Sequence, residues 1–98
     1  MISLDPVPFP IPKFSLGEIR ITPGAAGKLA RNEIESGINR HANGDWGELE
    51  PENRRLNDER VEKGGPLASI YQDGKGKKFY VLTEADRSVT TVLLPEEY

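Results

Sequence analysis

The stretch Leu67–Tyr98, LASIYQDGKGKKFYVLTEADRSVTTVLLPEEY, decides the fold of this 98-residue chain. Its β-branched, aromatic and other apolar residues gather in three runs, Leu67–Gln72, Lys78–Thr83 and Val89–Leu94, and each run is bounded by Gly, Asp or Pro. Such runs are typical of short strands joined by tight turns. The pattern predicts a three-stranded antiparallel meander that holds most of the residues able to form a core.

Strand register decides which of these side chains share a face. A two-residue turn at Asp86-Arg87 predicts a nearly apolar face that packs against helices, made of Thr83, Thr90, Val81, Val92, Phe79, Leu94, Ile70 and Ala68. A two-residue turn at Gly74-Lys75 then predicts an opposite, mixed face with Tyr71, Ser69, Leu67, Tyr80, Leu82, Glu84, Val89, Thr91 and Leu93. A longer loop over Asp73–Lys77 would exchange the two faces of the first strand, and this alternative stays open.

The mixed face and its adjoining turns are the predicted working surface. Phenols and opposite charges in exposed turns favour binding, and the candidate binding residues are Tyr71, Tyr80, Glu84, Arg87 and Thr91. Ordinary strand propensity is the simpler explanation of the hydroxyls. The structural alternative for Arg87 is an ion pair with Glu84 or Asp86 that stabilises the turn.

The residues before the meander predict one strand and two or three helices. Alternation over Glu18–Thr22 predicts a strand in which Ile19 and Ile21 point inward. Thr22-Pro23 is a helix start, because the hydroxyl can cap the helix and proline loses no hydrogen bond at the first position. Helical spacing of apolar residues then predicts a helix that Gly37 ends, with the stripe Ala26, Leu29, Ala30 and Ile34.

The segment Ile38–Leu49, INRHANGDWGEL, carries the only histidine and the only tryptophan. A helical turn through His41 is predicted to stop at Asn43-Gly44, and a rigid turn then holds Trp46. Histidine chemistry suits a general acid or base. The simpler expectation is that Trp46 fills the core and His41 bonds a nearby backbone group. His41 and Asp45 offer a metal two ligands at most, so no metal site is predicted.

The segment Glu50–Lys63 predicts a polar helix that Pro51 opens and Gly64-Gly65-Pro66 closes. Leu56 and Val61 are its thin apolar stripe. Pairs of opposite charge at i,i+4 are expected on its solvated side, namely Arg54 with Asp58, Arg55 with Glu59 and Glu59 with Lys63.

The N-terminal stretch Met1–Lys13, MISLDPVPFPIPK, is dense in proline, which favours an extended arm. The arm also carries large apolar residues, namely Ile2, Leu4, Val7, Phe9 and Ile11. They predict that the arm lies in a groove, either of its own domain or of a second subunit in a homodimer. Simple disorder is the third alternative. Residues 14–98 are predicted to form a single α+β domain.

Composition indicates a soluble globular protein, with 36% hydrophobic and 30% charged residues. No apolar run approaches the roughly 20 residues that cross a bilayer, and no signal peptide is recognised, so we expect a cytoplasmic protein that does not bind membranes. Without cysteine the chain has no thiol nucleophile and no cysteine-based cluster, and no cofactor is predicted. A net charge of −3 offers no overall attraction to phosphate backbones, so nucleic-acid binding is not expected.

Three parts of the chain together resemble a family of small uncharacterised bacterial proteins linked to plasmids, phages and other mobile DNA. They are GDWGEL (Gly44–Leu49), the strand around Ser69 and Tyr71, and TEADRSVTTVLLPEEY (Thr83–Tyr98). The resemblance covers about residues 14–98 and excludes the proline-rich arm. It implies no established activity, and therefore no catalytic residue.

A looser similarity joins the chain to compact microbial ribonucleases and RelE-like toxins, which pair N-terminal helices with an antiparallel sheet that cleaves RNA. It implies that His41, Glu84 and Arg87 supply a base, an acid and a cation for the charge of the phosphorane. The acidic composition and the single histidine depart from that pattern.

The sequence therefore predicts a small cytoplasmic accessory or protein-binding factor with an unidentified protein partner. The alternative is a metal-independent ribonuclease whose catalytic residues are His41, Glu84 and Arg87.

Overall fold

The structure, a computed structural model, describes residues 12–98. Its elements follow one another as β1 (Glu18–Ile21), α1 (Pro23–Lys28), α2 (Arg31–Ala42), α3 (Pro51–Lys63), β2 (Leu67–Gln72), β3 (Lys78–Thr83), β4 (Val89–Leu93) and a 3₁₀ turn (Pro95–Glu97). The predicted α+β class is confirmed. The arm predicted over residues 1–13 lies outside the described residues except for Pro12 and Lys13.

The four strands form one mixed sheet in the order β1-β4-β3-β2. The predicted meander is confirmed, since β3 pairs antiparallel with both β2 and β4. β1 runs parallel to β4, with Glu18 opposite Val89 and Ile21 opposite Val92. The N-terminal strand therefore extends the sheet beyond the last strand of the chain.

The predicted register between β3 and β4 is confirmed, because Thr83 lies opposite Thr90. The turn itself is longer than predicted. A hydrogen bond of 3.0 Å from the Glu84 amide to the Val89 carbonyl closes it, so four residues protrude rather than two. One residue is added on each side of Asp86-Arg87, and such a symmetric addition leaves the strand pairing unchanged.

The predicted register between β2 and β3 is wrong by one residue. Their connection is the five-residue loop Asp73–Lys77 and not a two-residue turn. The Asp73 carboxylate accepts hydrogen bonds from the amides of Lys75 and Lys77, at 2.9 and 2.8 Å, which stabilises the longer loop and lowers the pKa of the carboxyl.

This shift exchanges the two faces of β2. Leu67, Ser69 and Tyr71 lie on the face that the helices cover, which we name the inner face. Ala68 and Ile70 lie on the opposite, outer face, where they are half-buried. The predicted assignment of all five residues is therefore wrong, and the alternative with the longer loop is correct.

The main core lies between the inner face and the first two helices. Its buried members are Ala25, Leu29, Ile34, Tyr71, Phe79, Val81, Val92 and Leu94. The Thr22 hydroxyl accepts a hydrogen bond from the Ala25 amide at 3.2 Å, so the predicted cap of α1 is confirmed. This cap directs α1 over β4, where its small Ala25 is fully buried.

The prediction of one helix that ends at Gly37 is wrong. Leu29 has an extended backbone (φ −110°, ψ 143°) and separates α1 from α2. α2 then continues through Gly37 to Ala42. A Cβ atom at Gly37 would lie 2.7 Å from the ring of Phe79, so glycine here allows close packing of helix on sheet.

A second cluster of buried side chains comprises Phe14, Trp46 and Leu67. Trp46 is 3% exposed, stacks on Phe14 with ring centroids 6.0 Å apart, and donates its indole N–H to Asp58 at 2.9 Å. This burial agrees with the prediction that Trp46 fills the core.

The predicted bounds of α3 are confirmed, and its apolar stripe is confirmed at Val61, which packs against the second cluster, but not at Leu56. Leu56 is 39% exposed, whereas Asn57 is buried and donates to the Ala68 carbonyl at 2.7 Å. The three predicted i,i+4 pairs are not among the ion pairs of residues 12–98. α3 is therefore held by polar contacts to β2 and Trp46 together with the packing of Val61.

The predicted inward direction of Ile19 and Ile21 is confirmed, but neither side chain is buried. Their register with Thr90 and Val92 places them on the inner face, yet they are 39% and 44% exposed. Among residues 12–98, β1 is the edge strand of the sheet, and α1 and α2 leave a groove beside it instead of covering it completely.

Candidate functional site

A chain of polar side chains crosses the inner face beneath α2. His41 is 0% exposed, its Nδ1 lies 2.5 Å from the Ser69 hydroxyl, and its Nε2 lies 2.9 Å from the Thr83 hydroxyl. The Thr83 and Thr90 hydroxyl oxygens are 2.7 Å apart, and Thr90 donates to the Leu16 carbonyl at 2.7 Å. We name His41, Ser69, Thr83 and Thr90 the buried polar network.

The last of these bonds assigns the direction of the others. Thr90 gives its single proton to the Leu16 carbonyl, so it accepts the proton of Thr83. Thr83 in turn accepts from the Nε2–H of His41, and Nδ1 accepts from the Ser69 hydroxyl. This assignment makes His41 a neutral imidazole with its proton on Nε2. Each buried side-chain polar atom in residues 12–98 has a partner.

Burial lowers the pKa of His41 to about 3, because the cationic ring would lose its hydration, and the positive charge of Arg87 lowers it further. A general acid or base needs a pKa near the working pH and contact with substrate. His41 has neither. The expectation that it bonds a backbone group is also wrong, since its partners are two hydroxyls.

The short Ser69–His41 contact has the spacing of a nucleophile and its base. Ser69, however, is also 0% exposed and points to the core from the middle of β2. A substrate could reach neither atom without opening the helix–sheet interface. The buried polar network therefore holds α2, β2, β3 and β4 together by hydrogen bonds.

Arg87 holds the β3–β4 turn against the end of α3. Within residues 12–98, its guanidinium donates to four backbone carbonyls, those of Gly65 at 2.7 Å, Arg60 at 2.7 Å, Ala85 at 3.1 Å and Glu84 at 3.2 Å. Its backbone is in the left-handed region, with φ at 64°. A residue without a long cationic side chain could not make these bonds.

The carboxylates of the same turn do not bond this guanidinium. Asp86 accepts from the amide and the hydroxyl of Ser88, at 3.0 and 2.6 Å, and these bonds lower the pKa of its carboxyl. Glu84 is exposed. Arg87 thus stabilises the turn, as the structural alternative expects, but through carbonyl groups and not through an ion pair.

The three residues of the ribonuclease alternative do not share one accessible site. Phe14 lies between two of them, since its ring centroid is 5.3 Å from that of His41 and 5.7 Å from the Arg87 guanidinium carbon. Glu84 faces solvent on the turn. RNA cleavage stays a prediction, and the burial of His41 keeps its ring from acting together with Glu84 on a substrate.

Tyr71, the first candidate binding residue, is only 2% exposed and lies on the inner face. Its hydroxyl donates to the Asp45 carbonyl at 2.5 Å, and burial raises the pKa of this phenol. The Arg40 guanidinium carbon lies 4.6 Å from the centre of its ring, while Arg40 also pairs with the Asp45 carboxylate at 2.8 Å. The predicted position of Tyr71 on the working surface is therefore wrong.

Tyr80 and Thr91 do lie on the outer face, and both are half-buried. Tyr80 belongs to a mostly apolar surface around a cavity of about 190 Å³. We name this surface the outer patch and define it as Leu49, Ala68, Ile70, Tyr80, Leu82 and Tyr98. None of the helices in the part of the chain that the structure describes packs across it.

Tyr98 is the most exposed member of the outer patch, at 84%. Its ring stands edge-on to Tyr80, with centroids 6.0 Å apart and planes at 82°. It also borders a second cavity of about 340 Å³, which Arg60 and Glu84 line from the other side. Two neighbouring cavities thus meet at an exposed aromatic ring.

Sequence reasoning placed Tyr80 and Leu82 on this face but missed the rest of the outer patch, including Ile70 and Tyr98. The signal that could have found Ile70 is the loop Asp73–Lys77, because its aspartate, two glycines and five-residue length favour the shifted register. Tyr98 carried no periodic signal, since its position depends on the 3₁₀ turn that follows β4.

Residues 12–98 contain no cluster of three or more His, Asp or Glu side chains that could hold a metal ion. No helix within the same residues is long and apolar enough to cross a membrane. No protein-family model, curated protein or solved structure significantly matches the chain.

Proposed function

We propose that the protein is a small protein-binding module whose working surface is the outer patch. One observation carries this proposal: within the part of the chain that the structure describes, an apolar, tyrosine-bearing sheet face is left open while helices cover the opposite face. Apolar patches that contain exposed tyrosines are typical of protein interfaces, and aromatic side chains supply much of the binding energy there.

The chemistry of the patch suggests the kind of partner. The 190 Å³ cavity beside Tyr80 and Tyr98 suits one large apolar side chain of another protein. Arg60 and Glu84 border the neighbouring cavity, so one cation and one anion lie at the rim. We infer a partner that presents an apolar side chain flanked by charged or polar residues. A cytoplasmic location and kinship with the proteins of mobile DNA elements belong to the same proposal.

The enzymatic alternative has weaker support. The general base that it needs is His41, which is buried, neutral and hydrogen-bonded on both ring nitrogens. The outer patch offers tyrosines and aliphatic side chains, which bind other molecules but provide no obvious group for catalysis near pH 7.

Selection of peptides from a random display library on the immobilised full chain tests the proposal. We expect selected peptides to share an apolar anchor residue and to broaden or shift the amide NMR signals of Ile70, Tyr80 and Leu82. Tyr98→Ala should weaken their binding at least about tenfold, since aromatic anchors commonly contribute over 1–2 kcal/mol. This variant removes an exposed side chain, so its fold should persist.

Leu56→Ala is the matched control, because Leu56 is also an exposed large apolar residue but belongs to α3 and not to the outer patch. It should leave peptide binding unchanged. Peptides that bind Tyr98→Ala and the native protein equally, or that shift only signals of another surface, would exclude the outer patch. Self-association through the patch, seen by light scattering and lost in Tyr98→Ala, would show that the partner is a second copy of this chain and not another protein.

A further inference from the structure

We propose that the segment Pro6–Pro12 of this chain docks as a fifth strand on the open edge of β1, antiparallel to it. Val7, Phe9 and Ile11 would then enter a groove between β1 and α2. Three independent features carry this inference: the unpaired backbone of β1, the apolar groove beside it, and the alternation of prolines in the segment.

The first feature is the open edge of β1. The amides of Glu18 and Thr22 donate to carbonyls of the β4 side, at 2.9 and 3.0 Å. Alternate residues of a strand face the same neighbour, so Ile19 and Ile21 direct their N–H and C=O groups away from β4. None of the described strands lies on that side.

The other edge of the sheet is already closed. The Ile70 amide donates to the Trp46 carbonyl at 3.2 Å, and the Ile70 carbonyl accepts from the Glu48 amide at 2.8 Å. Asn57 occupies the Ala68 carbonyl on the same edge. A fifth strand can therefore pair with β1 but not with β2.

The second feature is a groove of about 310 Å³ on the inner-face side of β1. Its lining is mainly aliphatic, from Ile21, Ala26, Leu29, Ile34 and Ile38, with Arg31 and Glu35 in addition. Arg31 and Glu35 form an exposed ion pair of 3.2 Å at this groove. Side chains on the inner face of a strand added to β1 would enter this groove.

The third feature is the sequence Pro6-Val7-Pro8-Phe9-Pro10-Ile11-Pro12. Residues two apart in a strand share both a face and an edge. Val7, Phe9 and Ile11 would therefore place three apolar side chains on one face and three amide donors on one edge. The prolines, which have no N–H, would lie on the outer edge, where proline is tolerated and prevents further strand pairing.

The position of the chain before β1 agrees with this docking. The Lys13 amide donates to the Ala42 carbonyl at 2.8 Å. Arg31, Glu35, Ile38 and Ala42 lie on one stripe of α2, because they follow one another at intervals of three or four residues. The first three of them line the groove. The described part of the chain therefore begins next to Ala42, at one end of the groove. Five residues, 13–17, connect the segment to β1, and so short a connection allows only antiparallel pairing.

Amide hydrogen exchange on the ¹⁵N-labelled full chain tests this proposal. We expect the amides of Val7, Phe9, Ile11, Ile19 and Ile21 to exchange at least about tenfold more slowly than in an unstructured peptide. Cross-relaxation should connect the Phe9 ring with methyl groups of the groove. Exchange of Val7, Phe9 and Ile11 at peptide rates would overturn the proposal.

Phe9→Asp should abolish the protection of Val7, Ile11, Ile19 and Ile21. The amides of β3 should stay protected, which shows that the domain still folds. Leu4→Asp is the matched control, because it introduces the same charge outside the docked segment, and it should change none of these rates. Light scattering should find a monomer. A dimer that Phe9→Asp dissociates would assign the groove to the arm of a second copy and overturn docking within one chain.

Discussion

Acidification between pH 7 and pH 5 should destabilise this protein through one residue, His41. The neutral imidazole is buried between two hydroxyls, and its pKa is about 3 in the folded chain against an ordinary value of 6.5. Below pH 6.5 the unfolded chain therefore binds a proton that the folded chain cannot bind. The stabilising effect of the buried neutral ring is complete above pH 6.5 and is lost progressively as the pH falls toward 3.

The size of this loss in unfolding free energy follows from how far the pH falls below 6.5. One pH unit corresponds to about 1.4 kcal/mol, so the 1.5 units between pH 6.5 and pH 5 should cost about 2 kcal/mol of unfolding free energy. The carboxyls whose pKa values are lowered in the fold, those of Asp45, Asp73, Asp86 and Glu97, act mainly below this window, because their ordinary values are 3.8 and 4.5. Histidine should dominate the change above pH 5.

Urea unfolding at pH 7, 6 and 5, followed by the fluorescence of Trp46, measures this change. Trp46 is the only tryptophan and its ring lies 5.4 Å from His41. His41→Gln is the control, since its amide can still bond a hydroxyl but does not titrate; it should remove most of the pH dependence whatever its own stability. Unfolding free energies equal at pH 7 and pH 5, or an imidazole NMR signal that titrates near pH 6.5 in the folded protein, would refute the reasoning.

Four further perturbations test other contacts. Trp46→Ala should lower the unfolding free energy by about 3–5 kcal/mol, because it empties the centre of the second cluster; circular dichroism against urea measures this, and a loss below about 1 kcal/mol would contradict a core role. Arg87→Ala should cost about 2–3 kcal/mol, since four carbonyls lose a charged donor, whereas Arg20→Ala, which removes a solvent-exposed ion pair, should cost less than about 1 kcal/mol. Asn57→Leu should cost about 1–3 kcal/mol by leaving the Ala68 carbonyl without its donor, and an unchanged urea midpoint would show that water replaces the amide. Deletion of residues 1–12 should lower the melting temperature, because it removes the segment that docks on β1, and an unchanged melting temperature would show that the arm is dispensable to the fold.

Much of the fold could be predicted from local patterns. Thr22-Pro23 and Pro51 begin helices because capping and proline geometry act within one turn of chain. Asn43-Gly44 and Gly64 end helices for the same kind of reason, as Gly44 and Gly64 adopt positive φ angles of 81° and 97°.

The candidate site was harder to predict, because it depends on register. The loop Asp73–Lys77 shifts β2 by a single residue, and this places Tyr71 in the core and Ile70 on the outer patch. The turn around Asp86-Arg87 differs from the prediction by two residues and leaves the pairing intact. Each face assignment therefore depended on whether the error in loop length was an odd or an even number of residues, because side chains alternate between the two faces of a strand.

By itself, the sequence determined most elements of this protein: three strands of β-branched and aromatic residues, the capped start of α1, the bounds of α3, and an α+β class. Only the tertiary structure decided which long-range partners those elements found. It placed β1 beside β4, gave His41 its two hydroxyl partners, Ser69 and Thr83, and directed the Arg87 guanidinium to the end of α3. Helix caps and strand propensities act between residues that are neighbours in the chain, whereas these contacts join residues 27 to 74 positions apart and form only when the whole core closes.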